Sequence, residues 1–221
     1  MQAAKTLLFQ SCQLAPTSVR ELFVLCVIGV QHSDMNLIEA ALSEMVPHET
    51  DKRFAPDIAF LRASILVLKG DVAGAKRSIL SFVHKQPWLP KLWSVLSLFL
   101  LQNSPRDAKA AASLAAKASV MEQSSNLVGE QQDNSGHCVV LSAIALMMAG
   151  DGKASLRQAQ VACHQFPHLA HSWAVLAAAA RISNSSTSST TPWLSSVVEH
   201  VRRLGDTGGL AEWAGRVADT L

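Results

Sequence analysis

Apolar residues recur at three- and four-residue intervals along most of this chain, which is the spacing of one buried helix face. Leu22, Leu25 and Cys26 illustrate the pattern, and a proline or glycine stands where most of the apolar runs end. Short helices joined by turns of two to five residues are typical of stacked antiparallel helical hairpins. Helices are predicted over residues 2–14, 37–45, 56–69, 72–85, 90–102, 106–121, 137–149, 168–182 and 210–218. Three more are predicted: one that starts after Ser18, one that ends at Gln165, and one that extends from Pro192 to Leu204.

One block of sequence occurs twice at a constant offset. Gly70 recurs as Gly150, for example, and His84 recurs as His164, with no gap inside the block. Such an internal duplication is typical of solenoid proteins, which stack similar units on one another. The residues that define the block are Gly70, Asp71, Ala75, Pro87, Trp93 and Leu96 in the first copy, and Gly150, Asp151, Pro167, Trp173 and Leu176 in the second.

Composition supports a helical fold and argues against one class of function. Apolar residues make up 49% of the chain and charged residues 16%, and tyrosine is absent. Soluble domains usually carry about 25% charged residues, so we expect part of the exterior to be buried in a complex. The net charge is +2 without a sustained basic run, which argues against sequence-specific nucleic-acid binding as the primary function.

The chain lacks the sequence features of secreted and membrane proteins. No basic segment followed by an apolar core stands at its start, so a signal peptide is not expected. Its longest apolar runs, 22–30 and 139–149, are too short to cross a bilayer. Four dispersed cysteines without paired spacing are typical of a reduced compartment, which favours the cytoplasm, with the nucleus as the alternative.

The duplicated block resembles the tetratricopeptide repeat, a helical hairpin of about 34 residues. Trp93 and Leu96 match the Trp-x-x-Leu that opens such a unit, and Pro87 matches the proline that closes one. Two positions depart from the pattern, because Arg62 replaces an expected leucine and Ser155 replaces the usual alanine. The resemblance implies an all-α fold, a right-handed α-solenoid of stacked antiparallel helical hairpins, and a non-enzymatic role in protein–protein interaction.

The repeat spacing divides the chain into units. The first predicted unit is only the second half of a repeat, and its helix has an apolar face where a terminal repeat is normally polar. We therefore expect the chain to be the C-terminal part of a longer solenoid or a truncated isoform. The predicted units are a half repeat at 1–18, full repeats near 19–52, 56–89, 90–123 and 136–169, a further one from 170 to 182 onward, a loop at 124–135, a Ser/Thr-rich linker at 183–191 and C-terminal helices at 192–221.

A narrower resemblance starts at Pro87. The segment Pro-Trp-Leu-Pro-Lys-Leu-Trp-Ser-Val-Leu-Ser, residues 87–97, is similar to the divergent C-terminal repeats of superkiller-complex tetratricopeptide scaffolds, and the similarity covers most of residues 19–182. It implies an RNA helicase and WD40 propeller proteins as partners, and a role in supplying RNA to the cytoplasmic exosome. The alternative is a general tetratricopeptide adaptor of transport, ciliary or ubiquitin machinery.

The strongest candidate for chemistry is a group of zinc-type ligands: Cys163, His164, His168 and His171. Pro167 divides the group between two helices, so histidines at helix ends are the preferred interpretation. A metal- or ligand-binding helical domain remains the alternative of another class. Because the chain also lacks nucleophile motifs and phosphate-binding glycine loops, we expect no cofactor and no catalytic activity.

Two kinds of surface are candidates for binding a partner. Trp88 lies between Pro87 and Pro90 in a predicted turn and is expected to be exposed, whereas Trp93 and Trp173 are expected in the core. The positions that face the groove in this repeat family are apolar or small, including Phe23, Phe60 and Leu98. They bind an apolar segment of a partner, or they are covered by neighbouring helices, and the sequence leaves both alternatives open.

Overall fold

A computed structural model describes residues 19–126, 136–183 and 193–204, and within these ranges the chain forms helices and no strand. The predicted all-α fold class is confirmed. The predicted half repeat at 1–18, the linker from 184 and the helix at 210–218 lie outside the described residues. The helices are α1 Val19–His32, α2 Met35–Met45, α3 Ala55–Leu68, α4 Val72–Lys85, α5 Pro90–Asn103, α6 Ala108–Asn126, α7 His137–Met148, α8 Gly152–Gln165, α9 Ala170–Ser183 and α10 Trp193–Arg203, with short 3-10 turns at Val46–His48 and Pro105–Asp107.

The chain divides into two compact units, with the boundary between Leu96 and Ser97 inside α5. In the first unit α1 packs on α2 and α3 packs on α4, and α3 also contacts both helices of the preceding hairpin. In the second unit α7 contacts α6, α8 and α9, and α9 contacts α8 and α10. No helix in the described ranges combines the length and apolarity needed to span a membrane.

The two units fill their cores differently. Large aliphatic side chains such as Ile38, Ile58 and Ile79 are fully buried in the first unit. In the second unit the cluster formed by α7, α8 and α9 consists largely of alanine and valine, including Ala143 and Ala159. Small side chains at helix contacts allow the helix axes to approach closely. The alanine-rich composition therefore becomes tight helix packing in the second unit.

Each hairpin turn in the duplicated block provides hydrogen-bond partners for the last carbonyl groups of one helix and the first N–H groups of the next. Gly70 has a φ of +82° after the C-terminus of α3, and its N–H donates to the Val67 carbonyl at 2.9 Å. The next N–H, that of Asp71, donates to the Leu66 carbonyl at 2.8 Å, which completes a Schellman motif. The Asp71 carboxylate then accepts from the Gly74 N–H at 2.7 Å and caps α4.

The same turn is found twice more. Gly150 has a φ of +79°, and Asp151 caps α8 by accepting from the Ala154 N–H at 3.0 Å. Between α1 and α2 the left-handed residue is Ser33, with a φ of 55°, and Asp34 caps α2. Among the described residues Ser33 is the single non-glycine residue with positive φ. The third turn thus has the geometry of the other two without their glycine.

The repeated tryptophans hold the junction between one hairpin and the next helix. The indole N–H of Trp93 donates to the Pro87 carbonyl at 2.8 Å, and that of Trp173 donates to the Pro167 carbonyl at 2.7 Å. Both side chains are half-buried, and Trp173 packs against the core cluster of Ala174, Ala177, Val197 and Val201, so each ring lies at the edge of the core rather than at its centre. The physical reason is that the indole N–H needs a hydrogen-bond acceptor, and the ring reaches it at the edge of the helix pair.

Two further details differ from the sequence pattern. Helix α6 continues to Asn126, so the segment 124–126 of the predicted loop is helical, and the Ser124 hydroxyl donates to the Val120 carbonyl one turn earlier. Ser155 is fully buried where the repeat pattern has alanine. Its hydroxyl donates to the Ala143 carbonyl of α7 at 2.9 Å, so the extra polar atom is satisfied within the hairpin.

Two glycines of the second hairpin turn provide a matched test of the turn geometry. We expect Gly150→Ala to lower the free energy of unfolding by about 1–2 kcal/mol, because an L-residue is strained at positive φ even though no atom lies within 4 Å of the added Cβ. We expect Gly152→Ala, in the first turn of α8, to be neutral or stabilising by up to about 1 kcal/mol. Urea denaturation of both variants measures the difference, and equal effects would contradict the left-handed turn.

The junction hydrogen bond is tested by replacing one ring with another. We expect Trp173→Phe to destabilise the protein by about 0.5–1.5 kcal/mol, since the smaller phenyl ring keeps an aromatic side chain at this position but has no donor for the Pro167 carbonyl. Trp88→Phe is the matched control, and its effect should stay within about 0.5 kcal/mol because Trp88 is largely exposed. Thermal unfolding followed by circular dichroism compares the two. A neutral Trp173→Phe would show that the bond contributes nothing.

Candidate functional site

The predicted groove residues are not equally accessible. Phe23, Phe60 and Leu98 are half-buried, each within its own unit. Ala174 and Ala178, at the matching positions of α9, are fully buried, and Ala174 packs against Val197 of α10. The neighbouring helix therefore covers the groove position of α9, whereas Phe23, Phe60 and Leu98 keep part of their surface exposed.

Among the residues whose side chains the structure describes, Trp88 is the most exposed large aromatic residue. Its side chain is 62% exposed, in the turn that joins α4 to α5. The turn itself is held by the backbone, because the Leu89 N–H donates to the Gln86 carbonyl at 3.2 Å. Leu89 is buried beside it, so the chain directs one apolar side chain of the turn inward and the other outward. Exposed tryptophan is enriched where proteins bind one another.

A cleft of about 410 Å³ lies beside Trp88 in the first unit, between the end of α4 and the connector that leads into α3. The connector is fixed to α4 because the Gln86 side-chain amide donates to the Glu49 carbonyl at 3.2 Å. We call this feature the Trp88 cleft. It is lined by Glu49, Thr50, Lys52, Phe82, Lys85, Gln86 and Trp88.

One carboxylate in the Trp88 cleft is shared by two cations. Glu49 pairs with Arg62 of α3 at 2.9 Å and with Lys85 of α4 at 3.7 Å. Both cations also approach the ring of Phe82, at 5.5 Å for the Arg62 guanidinium and 5.9 Å for the Lys85 ammonium group. The residue that departs from the repeat pattern, Arg62, thus has a role in linking α3, α4 and the connector.

Two charges of the connector, those of Asp51 and Arg53, cancel each other. Arg53 and Asp51 form an ion pair at 2.6 Å, and the hydrogen bonds from Arg53 lower the pKa of the Asp51 carboxyl to about 2. This pair is neutral as a whole and adds nothing to the net charge of the cleft. The cleft therefore combines the open ring of Trp88 with the Lys85 cation and the Glu49 carboxylate, and Arg62 pairs with that carboxylate from outside the lining.

The candidate zinc ligands are distributed over different environments. Cys163 is buried in α8, His164 and His168 are exposed, and His171 stacks on His137 with the ring centroids 5.1 Å apart. Within residues 19–126, 136–183 and 193–204, no three His, Cys, Asp or Glu side chains are grouped closely enough to hold a metal ion. The structure supplies no geometry for a metal site at these residues.

Comparison with known proteins identifies relatives over most of the chain. The chain is 33% identical over 183 residues to tetratricopeptide repeat protein 37 of Xenopus laevis, and the match covers 82% of this chain. The tetratricopeptide resemblance is confirmed. The chain is also 35% identical over 106 residues to superkiller complex protein 3 of Homo sapiens, and 34% identical over 112 residues to that of Mus musculus, which covers 48% and 51% of this chain.

The relatives are much longer proteins. This chain spans 11% of the frog protein and 7% of each mammalian protein. No family model matches the chain. The similarity therefore indicates a tetratricopeptide-type segment, and what the complete relatives do is a separate question from what this segment does.

The two prolines that flank Trp88 predicted its exposure, but the sequence analysis missed the residues around it. Glu49, Lys85 and Gln86 belong to no motif, and they meet only because the connector folds back on the end of α4. One signal was present in the sequence, namely the arginine at position 62 in place of leucine. A cation on a helix face that normally packs against its neighbour needs a nearby carboxylate.

Two buried cysteines of the tetratricopeptide helices are unsuited to nucleophilic chemistry. Burial raises the pKa of the Cys26 thiol to about 11 and that of the Cys163 thiol to about 12. The reactive form of cysteine is the thiolate, and catalytic cysteines have a lowered pKa. Cys26 is also turned toward the Ile38 carbonyl, with the sulfur 3.7 Å from the oxygen.

Thiol labelling tests this description. At pH 8 the raised pKa keeps Cys26 and Cys163 protonated, so we expect iodoacetamide to leave both unmodified in the folded protein and to modify both in urea. Peptide mass mapping after a timed reaction measures each site separately. Rapid modification of Cys163 in the folded protein would contradict its burial.

Proposed function

We propose that the chain is a non-enzymatic scaffold that binds other proteins within a multi-protein assembly. The observation that carries this proposal is the similarity over 82% of the chain to a tetratricopeptide repeat protein. Repeated helical hairpins form extended surfaces for protein binding. The low charge of the chain and the open Trp88 cleft agree with a surface that is covered by a partner.

Within that role, we infer that the assembly is a superkiller-type complex that assists 3′–5′ mRNA decay by the exosome. The human and mouse relatives are named superkiller complex protein 3, which supports this assignment. The expected partners are an RNA helicase and WD40-repeat proteins, and the expected compartment is the cytoplasm. The chain contributes protein contacts and does not bind a specific nucleic-acid sequence.

Affinity purification tests the proposal. The tagged chain, expressed in cells and washed at moderate salt, should retain an RNA helicase and WD40 proteins in near-stoichiometric amounts by mass spectrometry. Ribonuclease treatment should leave the recovered set unchanged, because the contacts are between proteins.

The control is the same tag without the chain, and two outcomes would revise the proposal. A stable set of transport, ciliary or ubiquitin proteins would retain the scaffold role and reject the RNA-decay assignment. A folded chain that retains no partner would reject the scaffold role itself.

A further inference from the structure

The duplication shows that Trp88 is not required for the turn it occupies. The equivalent residue of the second copy is His168, which is also exposed. The backbone is the same in both turns, because the Leu89 N–H donates to Gln86 and the Leu169 N–H donates to Phe166, each at 3.2 Å. A turn that folds with histidine gains nothing from an exposed tryptophan, so the aromatic ring needs another explanation.

The other side chains of the Trp88 cleft also differ between the two copies. Arg62 corresponds to Ser142, Phe82 to Ala162 and Lys85 to Gln165. The second copy therefore has neither the two cations nor the ring between them. The helix ends and the turn are alike in both copies, so this group of residues is a feature of the first copy alone. Of the three, Lys85 is the one that is largely exposed, whereas Phe82 is buried beneath it.

The charge balance of the Trp88 cleft favours a negatively charged ligand. Two cations share the Glu49 carboxylate, and the closer of them is Arg62 at 2.9 Å. Lys85 is held less closely, at 3.7 Å, and its side chain is 61% exposed. The Lys85 ammonium group can therefore turn to a second carboxylate while Arg62 continues to neutralise Glu49.

We propose that the Trp88 cleft binds a segment of a partner protein that presents a large apolar side chain beside an acidic side chain. This proposal rests on the proposed scaffold function. The apolar side chain packs on the exposed ring of Trp88, and the carboxylate pairs with Lys85. A cleft of about 410 Å³ accommodates one or two side chains, which is the scale of a short linear motif.

An acidic peptide fits better than single-stranded nucleic acid. Nucleic acid would also stack on a tryptophan and pair with lysine, but its backbone presents a row of phosphates. The Glu49 carboxylate lines the cleft and would repel that row. A single carboxylate beside an apolar group avoids the repulsion because only one charge has to approach, on the Lys85 side.

A random peptide library displayed on phage, selected on the immobilised full chain, tests the proposal. The variants follow from the duplication: Trp88→His and Lys85→Gln introduce the residues of the second copy, so both are expected to fold. His168→Ala, at the equivalent exposed turn, is the matched control. Circular dichroism checks that each variant is folded before binding is compared.

The expected result is enrichment of peptides with Asp or Glu next to a large apolar residue. A labelled peptide of the enriched sequence should lose about tenfold or more in affinity for Trp88→His and for Lys85→Gln, and keep its affinity for His168→Ala. The affinity of the peptide should also fall as the NaCl concentration rises from about 0.05 M to about 0.5 M, because salt screens the ion pair with the exposed Lys85.

Several outcomes would overturn the proposal. These are no enrichment, enrichment of basic peptides, unchanged binding to Trp88→His, or equal loss with His168→Ala. Binding of a labelled oligouridine that depends on Trp88, in place of peptide binding, would assign the cleft to RNA. The scaffold function is judged separately, because a Trp88→His chain that still retains its partners on purification would reject this site and keep the scaffold.

Discussion

Three hairpins of this protein depend on one backbone constraint, a left-handed residue followed at once by a capping aspartate. Gly70 and Gly150 let the chain reverse after a helix, and Asp71 and Asp151 supply the acceptor that starts the next one. Because a single dipeptide satisfies the carbonyls of one helix and the N–H groups of the other, the two helices leave the turn antiparallel and in contact. The apolar faces can then meet without a long connection.

The junction between hairpins uses a second repeated element, which restricts the residue type at fewer positions than the hairpin turn does. A proline ends each hairpin, and the indole of Trp93 or Trp173 binds its carbonyl across the turn. The residue directly after the proline is exposed to solvent in both copies of the block. It is Trp88 in the first copy and His168 in the second. Backbone geometry is thus kept by a few residues, and the exposed residue is left free to differ in chemistry.

This separation suits a protein that works through its surface. The cores differ in composition between the units, yet each unit contains the same glycine–aspartate turn. Buried polar atoms such as the Ser155 hydroxyl find acceptors inside the hairpin. Buried thiols with a raised pKa add no reactivity. What distinguishes the first copy is the Trp88 cleft, where the open ring of Trp88 and the Lys85 cation at the end of α4 lie beside the Glu49 carboxylate of the connector, which also pairs with Arg62 of α3.

The sequence by itself determined the helices, the fold class and the repeated turn, because spacing, glycine, aspartate and proline act through local backbone geometry. It also predicted a turn at His32, Ser33 and Asp34, but not the left-handed conformation of Ser33, since a serine in that region has no sequence signal. Only the tertiary structure decided that Glu49, Arg62 and Lys85 meet beside Trp88. These residues come from separate helices and a connector, and their contact depends on how those elements pack, which no local spacing encodes.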